Sequence, residues 1–214
     1  MEAVLNHIIM VVLISIFEIK VENVVAFASL GKDISLKALI ETLENVEYDP
    51  ERFPGLVYRI KDPRAATLIF SSGKIVCTGG RSVRLAKEAM HKVVDNIRDT
   101  GVDLPTEFEI RIENIVASTQ IFAKKKLNLE NLAFELENSE YEPESFPGLV
   151  YRLRDPKAAF LLFGSGKIIC TGARKVEDIH TALEKFKTTL EGLGVEVKPI
   201  KNKTSPEDPK DEEE

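Results

Sequence analysis

The chain is poor in the side chains on which most enzymes depend. It has two cysteines and three histidines among 214 residues. Neither cysteine stands in a CxxC, CxxH or similar spacing, which excludes zinc-ribbon and redox-motif chemistry. His7 precedes the regular part of the sequence, and His91 and His180 fall in helical patterns at unrelated places. No carboxylate pair, metal-ligand spacing or phosphate-binding loop accompanies them, and the TGG of Thr78–Gly80 reads as a strand-to-helix turn. The expectation is therefore no catalysis, no metal and no cofactor.

A membrane-spanning run is also lacking. The longest apolar stretch, Ala3–Phe17, has about 15 residues, broken by Asn6, His7 and Ser15, where a span needs about 20. It has neither a basic leader nor a small-residue cleavage site. Residues 1–17 are expected to be an extension outside the fold, with Met10 or a later position as an alternative start. Excess positive charge is absent as well. Lys and Arg number 29 against 35 Asp and Glu, a formal net charge of −6, which excludes a generally basic coat for nucleic acid but not a local basic rim. The end of the chain, KNKTSPEDPKDEEE, has no apolar residue, and residues 199–214 are expected to be an acidic, disordered tail. The expected location is cytoplasmic.

What the chain does contain is itself, twice. Asn45–Gly79 recurs as Asn138–Gly172, with 25 of 35 positions identical at an offset of 93. EIKVENVVA from Glu18 matches EIRIENIVA from Glu109 at an offset of 91, so repeat 2 carries two extra residues in a loop around Gln120–Ala123. Two copies with a period this long are not a solenoid. The connection TGVDLPT at 100–106 is a turn rather than a flexible linker. The reading is two half-units, 18–106 and 107–198, that share a sheet about a pseudo-two-fold axis. Cys77 and Cys170 occupy equivalent positions and are expected to be buried, reduced thiols; a disulfide across the axis is the alternative.

Each repeat opens with a β-branched stretch (Ile19–Ala28; Ile110–Ser118) and continues with a helix (about Ser35–Glu44; Asn128–Glu137). Three short strands follow, Gly55–Lys61, Ala66–Ser71 and Lys74–Thr78, matched by Gly148–Arg154, Ala159–Gly164 and Lys167–Thr171. A closing helix carries an apolar stripe, Val83, Ala86, Met90, Val93 and Ile97 in one repeat and Val176, Ile179, Leu183, Phe186 and Leu190 in the other. The strands are apolar on both faces. In ATLIF, Leu68 and Phe70 point one way and Ile69 the other; in IVCT, Ile75 and Cys77 oppose Val76 and Thr78. Two helices per repeat cover one face, and hairpin connections leave nothing for the second. That face is therefore covered by a large partner, or by a second copy or a closed sandwich.

Matched cations edge these strands: Arg59, Arg64, Lys74 and Arg81 recur as Arg152, Lys157, Lys167 and Arg174. Cations flanking an uncharged apolar face suggest phosphate rails about a groove. The minor groove fits, because its acceptor-rich floor is read by amides and hydroxyls. Asn23 with Asn114 and Thr78 with Thr171 supply them in pairs. A duplicated module that binds RNA or protein is the competing reading, since RNA recognition stacks bases on aromatics.

FPGLVYR, LIFSSGK and CTG in the first repeat, with YEPESFPGL, GSGK and CTGAR in the second, resemble the TATA-box-binding protein family over about 18–197. The resemblance implies an α+β, pseudo-two-fold saddle: a ten-stranded, curved antiparallel sheet of two direct repeats with four helices on the convex face. It implies a general transcription initiation factor on A/T-rich promoter DNA, with transcription factor B and RNA polymerase as partners, and a homodimer off DNA as an alternative cover for the face. By the family pattern, Phe53 with Phe70 and Phe146 with Phe163 kink DNA. Asn23, Asn114, Thr78 and Thr171, with Val25, Val116, Leu68, Leu161, Val76 and Ile169, touch the groove floor. Arg59, Lys74, Arg81, Arg152, Lys157, Lys167 and Arg174 match phosphate contacts, with Arg64 the counterpart of Lys157. Glu142 and Glu144 match the stirrup that docks transcription factor B. A wedge Phe followed by Pro in both repeats (Pro54, Pro147) resembles the archaeal type. Gly80 in place of Ala173 reads as a minor exchange in a turn.

Overall fold

In the first strand, β1 (Lys20–Ser29), Val24, Ala26 and Ala28 are wholly buried, while Asn23, Val25 and Phe27 between them stay half-exposed. A period of two with one dry face is the mark of a strand covered on one side only. The computed structural model describes residues 17–122 and 125–199. His7, the rest of the apolar extension before 17, and the tail from 200 lie outside the described residues.

The chain then runs through α1 (Leu36–Thr42), β2 (Val46–Glu47), β3 (Leu56–Lys61), β4 (Arg64–Ile69), β5 (Lys74–Gly80) and α2 (Val83–Asp99). Repeat 2 follows the same order: β6 (Ile110–Phe122), α3 (Leu129–Glu135), β7 (Ser139–Glu140), β8 (Gly148–Leu153), β9 (Ala158–Phe163), β10 (Lys167–Ala173) and α4 (Val176–Gly192), before a short β11 (Lys198–Pro199). The helices start where a side chain can satisfy a free backbone N–H. The Ser35 hydroxyl accepts from Ala38 N at 3.4 Å, Ser82 from Leu85 N at 3.1 Å, and Asn128 Oδ1 from Asn131 N at 3.1 Å.

Hydrogen-bonded neighbours give the strand order β2-β3-β4-β5-β1-β6-β10-β9-β8-β7, with β11 on β6 off that path. Each strand and its repeat counterpart stand at mirror-image places in the order. The ten-stranded antiparallel α+β class is thus what the described residues form, with four helices among them. Sequence pattern alone yields four strands per repeat, because β2 and β7 are two residues long and too short to show a period. The extra residues of repeat 2 do not make Gln120–Phe122 a loop. These residues extend β6, where Ile121 N donates to Gly166 O at 3.0 Å and β11 pairs Lys198 with Phe122.

The chain divides into two compact units. One is Val21–Ala117 with Thr171–Ile179; the other is Ser118–Cys170 with the described parts of Met1–Lys20 and His180–Glu214. Unit and repeat boundaries differ because β6 and β10 run through both units. In the first unit, Ala86, Ala89, Met90, Val93, Val94 and Ile97 of α2 are all fully buried. Tyr58 closes this core by accepting from Asn96 Nδ2 at 2.7 Å, and the buried Thr67 hydroxyl donates to Tyr58 O at 2.9 Å. In the second unit, Phe186 of α4 stacks on Tyr151 (4.9 Å, 15°) and Phe160 (4.6 Å, 17°). Each large side chain so buried contributes about 1.5–3 kcal/mol.

Cys77 and Cys170 are free and buried, as expected of reduced thiols, and burial pushes them up to about 11 and about 12. Gly80 is a different matter. It does not lie in a turn but closes β5 beneath α2. A Cβ there would stand 2.9 Å from Ala86 N and 3.0 Å from Ala86 Cα. Backbone cannot swing aside as a side-chain tip can, so Gly80→Ala should cost about 1–3 kcal/mol. Denaturant unfolding reads this; an unchanged midpoint would mean that α2 shifts freely.

Candidate nucleic-acid interface

The face without helices is built of registered rows. In the first unit Val57 stands opposite Leu68, Leu68 opposite Val76, and Val76 opposite Phe27. A second row sets Arg59 against Ala66 and Ala66 against Thr78. In the second unit Val150 faces Leu161 and Arg152 faces Ala159. The expected floor residues Val25, Leu68, Val76, Val116, Leu161 and Ile169 are all half-exposed, whereas their strand neighbours Val24, Ile69, Cys77, Ile115, Leu162 and Cys170 are buried. The expected division of each strand into a buried and an open face holds position by position.

Two asparagines are locked on this face, both in the first unit. Gly79 N donates to Asn23 Oδ1 at 2.8 Å, and the Thr78 hydroxyl lies 2.9 Å from Asn23 Nδ2 and 3.1 Å from its Oδ1. Asn114 repeats the arrangement with Gly172 N at 2.8 Å and Thr171 at 3.0 and 3.2 Å. A backbone N–H can only donate, so it fixes which end of the amide is oxygen. The oxygen is thereby occupied. Among the described residues only the threonine hydroxyl approaches Nδ2, which leaves each amide a second N–H to offer. The device depends on a β-bulge. Val24 pairs with Gly80 but Ala26 with Cys77, so β5 carries one residue more than β1 between these pairs. Gly79 takes φ 108° and Gly172 φ 97°, the region that glycine occupies without strain.

The phenylalanines form two identical edge-on pairs. Phe53 and Phe70 have centroids 5.8 Å apart at 64°, and Phe146 and Phe163 stand 5.8 Å apart at 65°. Phe53 and Phe146 are 40% and 38% exposed, far more than a core ring. Their backbones are tied into the preceding turns: Phe53 N donates to Asp49 O at 2.9 Å and Phe146 N to Glu142 O at 2.8 Å. Glu142 and Glu144 are exposed in that second turn.

All eight expected cations are exposed. Arg59, Arg64 and Arg81 border one shallow depression together with Asn23 and Thr78. Arg59 lies 3.4 Å from Glu47 and Arg174 2.8 Å from Glu113. Exposed pairs of this kind are worth at most about 1 kcal/mol, so a phosphate can displace either carboxylate. The structure brings Lys74 and Lys167 onto the open face in alternation with Val76 and Ile169. Among the described residues no hydrogen-bonded cluster joins the cations to one another.

Sequence reasoning passed over the glycines that make this geometry feasible. A Cβ on Gly55 would meet Phe53 Cε1 at 2.6 Å and Phe70 Cε1 at 3.1 Å; on Gly148 it would meet Phe146 Cε1 at 2.7 Å and Phe163 Cε1 at 3.2 Å. The signal was present as the glycine of FPG in both repeats. A second signal lies in where the repeats differ. Of the six buried α2 residues only Ala89 has an identical counterpart, Ala182. On the open face Asn23, Val25, Val57, Arg59, Ala66, Leu68, Phe70 and Thr78 all recur unchanged. Packed cores tolerate compensated exchanges of volume, and the divergence is greatest in the helix layer, since on the buried side of the strands Leu56, Tyr58, Ile75 and Cys77 also recur, as Leu149, Tyr151, Ile168 and Cys170.

Comparison with known proteins gives that face a context. The family model described as transcription factor TFIID (or TATA-binding protein, TBP) matches residues 18–100 and 109–193. The TATA-box-binding protein of Methanothermobacter thermautotrophicus is 56% identical over 176 residues, covering 82% of this chain and 96% of the relative. That of Methanosphaera stadtmanae is 55% identical over 173 residues, covering 81% and 93%. The solved structure of Methanococcus jannaschii TBP superposes with a TM-score of 0.75 at 46% identity, covering 82% of this chain and 99% of that one.

The cradle glycines are open to test. Gly148→Ala meets the tip of a half-exposed ring rather than backbone, so it should push Phe146 away from Phe163 at a cost below about 1 kcal/mol. Ring-to-ring NMR contacts should weaken while the unfolding midpoint barely moves. Intact contacts would remove Gly148 from its assigned role.

Proposed function

The chain belongs to the TATA-binding protein family, and from that membership we propose how its open face acts on promoter DNA. The face enters the minor groove of an A/T-rich element. Phe53 with Phe70, and Phe146 with Phe163, wedge between base steps and kink the duplex. The complex then recruits transcription factor B, through Glu142 and Glu144, and RNA polymerase. A protein of this family is a DNA-binding transcription factor and not an enzyme; the steps of kinking and recruitment are our reading.

The observation that carries it is the pair of locked asparagines. A·T and T·A pairs present only acceptors in the minor groove, adenine N3 and thymine O2. Asn23 and Asn114 have their oxygens occupied by glycine N–H groups and so offer donors. The apolar rows to either side suit a groove floor that lacks the guanine amine. The exposed arginines and lysines, Arg59, Arg64, Lys74, Arg81, Arg152, Lys157, Lys167 and Arg174, suit the phosphates. Half-exposed phenylalanine pairs whose backbones are tied into turns suit insertion, because they are already ordered before DNA arrives. In the absence of DNA, a second copy would cover the same apolar face.

Affinities for an A/T-rich duplex, a G/C-rich duplex and single-stranded RNA at equal salt test the reading. The A/T-rich duplex should bind at least about tenfold tighter than the G/C-rich one. Preference for the RNA would assign the face to a different ligand. The wedges have their own test. Phe146→Ala and Phe163→Ala should each reduce the bend measured by energy transfer between duplex ends and weaken binding by about 1–3 kcal/mol. An undiminished bend in both variants would leave the rings as packing alone.

A further inference from the structure

The floor of the open face breaks its internal symmetry at one large side chain. Asn23, Val25, Val57, Leu68 and Thr78 recur unchanged, Val76 differs from Ile169 by one methylene, and the edges exchange Arg64 for Lys157 and Ser29 for Gln120, but the counterpart of Phe27 is Ser118. Phe27 stands between Ala26 and Ala28, both wholly buried, so its ring projects to the open side. It is registered with Val76 and so continues the row Val57, Leu68, Val76 onto β1. The Arg111 guanidinium lies over the ring, 5.0 Å from its centroid, a cation–π contact that restrains it. The counterpart of Arg111 is Lys20.

We infer that Phe27, held by Arg111, is a specificity-determining residue. It makes the half-site under β3, β4, β5 and β1 stricter for A·T pairs than the half-site under the second repeat. The inference rests on the minor-groove reading of this face. A G·C pair differs from A·T in that groove by the guanine N2 amine, a donor that fills the floor. A phenyl ring offers no lone pair to that amine and occupies the space it needs. A donor buried without an acceptor is disfavoured by about tenfold or more. A serine is smaller and carries an oxygen able to accept. The face is therefore intrinsically polar, and orients on an element whose one half contains a G·C pair.

The test uses the full chain labelled with a donor dye at an introduced Lys92→Cys, on the exposed side of α2. Cys77 and Cys170 are buried and resist ionisation, so the label goes to position 92. The acceptor dye sits at one end of a duplex that carries an A/T element with a single G·C pair in one half. Energy transfer then counts the two orientations. The expected result places the G·C half under the second repeat in about a tenfold excess. Replacing guanine by inosine, which lacks the amine, should bring the ratio near one. Phe27→Ser should do the same on the guanine duplex, whereas Phe27→Leu should keep most of the bias. A ratio near one for the unmutated face, or a bias that survives Phe27→Ser, overturns the inference. The same titration reads total affinity for an all-A/T element. Its loss in the parent protein would take down the minor-groove reading and this inference together; retained affinity without bias removes the inference alone.

Discussion

Strand alternation with helix cover on one side is the constraint from which the rest follows. Each strand places a side chain alternately toward the helices and away from them, and the chain has apolar residues at both sets of positions. Ile75 and Cys77 disappear beneath α2, and Val76 between them cannot. The hairpins that join β3 to β4 and β4 to β5 contain no crossover helix that could close the second face. Leaving rows such as Val57, Leu68 and Val76 in contact with water is costly, at about 25 cal/mol for each Å² of apolar surface. The cost is recovered when a large apolar-floored ligand covers the rows. An unsatisfied sheet face is therefore the source of binding energy, and the polar groups on it decide what may bind.

Those polar groups work because the backbone beneath them is irregular. Asn23 would be a pliable amide on a regular strand, free to present either end. The bulge at Thr78 and Gly79 aims a backbone N–H at Oδ1 and converts the side chain into a donor of one sense. Glycine is needed there for its positive φ, just as it is needed at 55 and 148 for want of a Cβ. Three features that look unrelated in sequence, the N of VEN and IEN, the T of CTG and the G of CTG, are one hydrogen-bonded unit. The same economy holds at the FPG motifs, where the glycine makes room for the ring two residues before it.

Much of this was legible in the sequence, and what was missed has physical reasons. The alternation of Leu68, Ile69 and Phe70 is a property of the strand alone, so the two faces could be assigned without coordinates. The stripes on α2 and α4 were equally plain, because a helix of 17 residues repeats its pattern several times. β2 and β7 could not be seen, since two residues have no period; they exist because β3 and β8 supply an edge on which to pair. Gly80 was misjudged because closeness of two backbones leaves no trace in composition. Its repeat counterpart is Ala173, and only the position of Ala86 reveals that a methyl there has nowhere to go. The extension of β6 through Phe122 was hidden for a similar reason, as its partners Gly166 and Lys198 are distant in sequence.

The repeats also show how symmetry can be kept on the strands and lost in the helices that pack on them. Under α2 the core closes on a hydrogen bond from Asn96 to Tyr58, beside Thr67; under α4 the equivalent Tyr151 stacks with Phe186 and Phe160. These are two solutions to one packing problem, and each needs its own set of volumes. The two helix layers differ accordingly in five of the six buried positions of α2. On the open face asparagine, threonine, arginine and phenylalanine remain paired. A ligand with its own approximate two-fold axis, such as a short duplex, suits just such a pairing. Where the pairing fails, at Phe27 and Ser118, the failure cannot be drift that the core has absorbed, because neither side chain is buried in it. Phe27 and Ser118 are therefore the point at which the two halves of the face differ most in size and hydrogen-bonding chemistry.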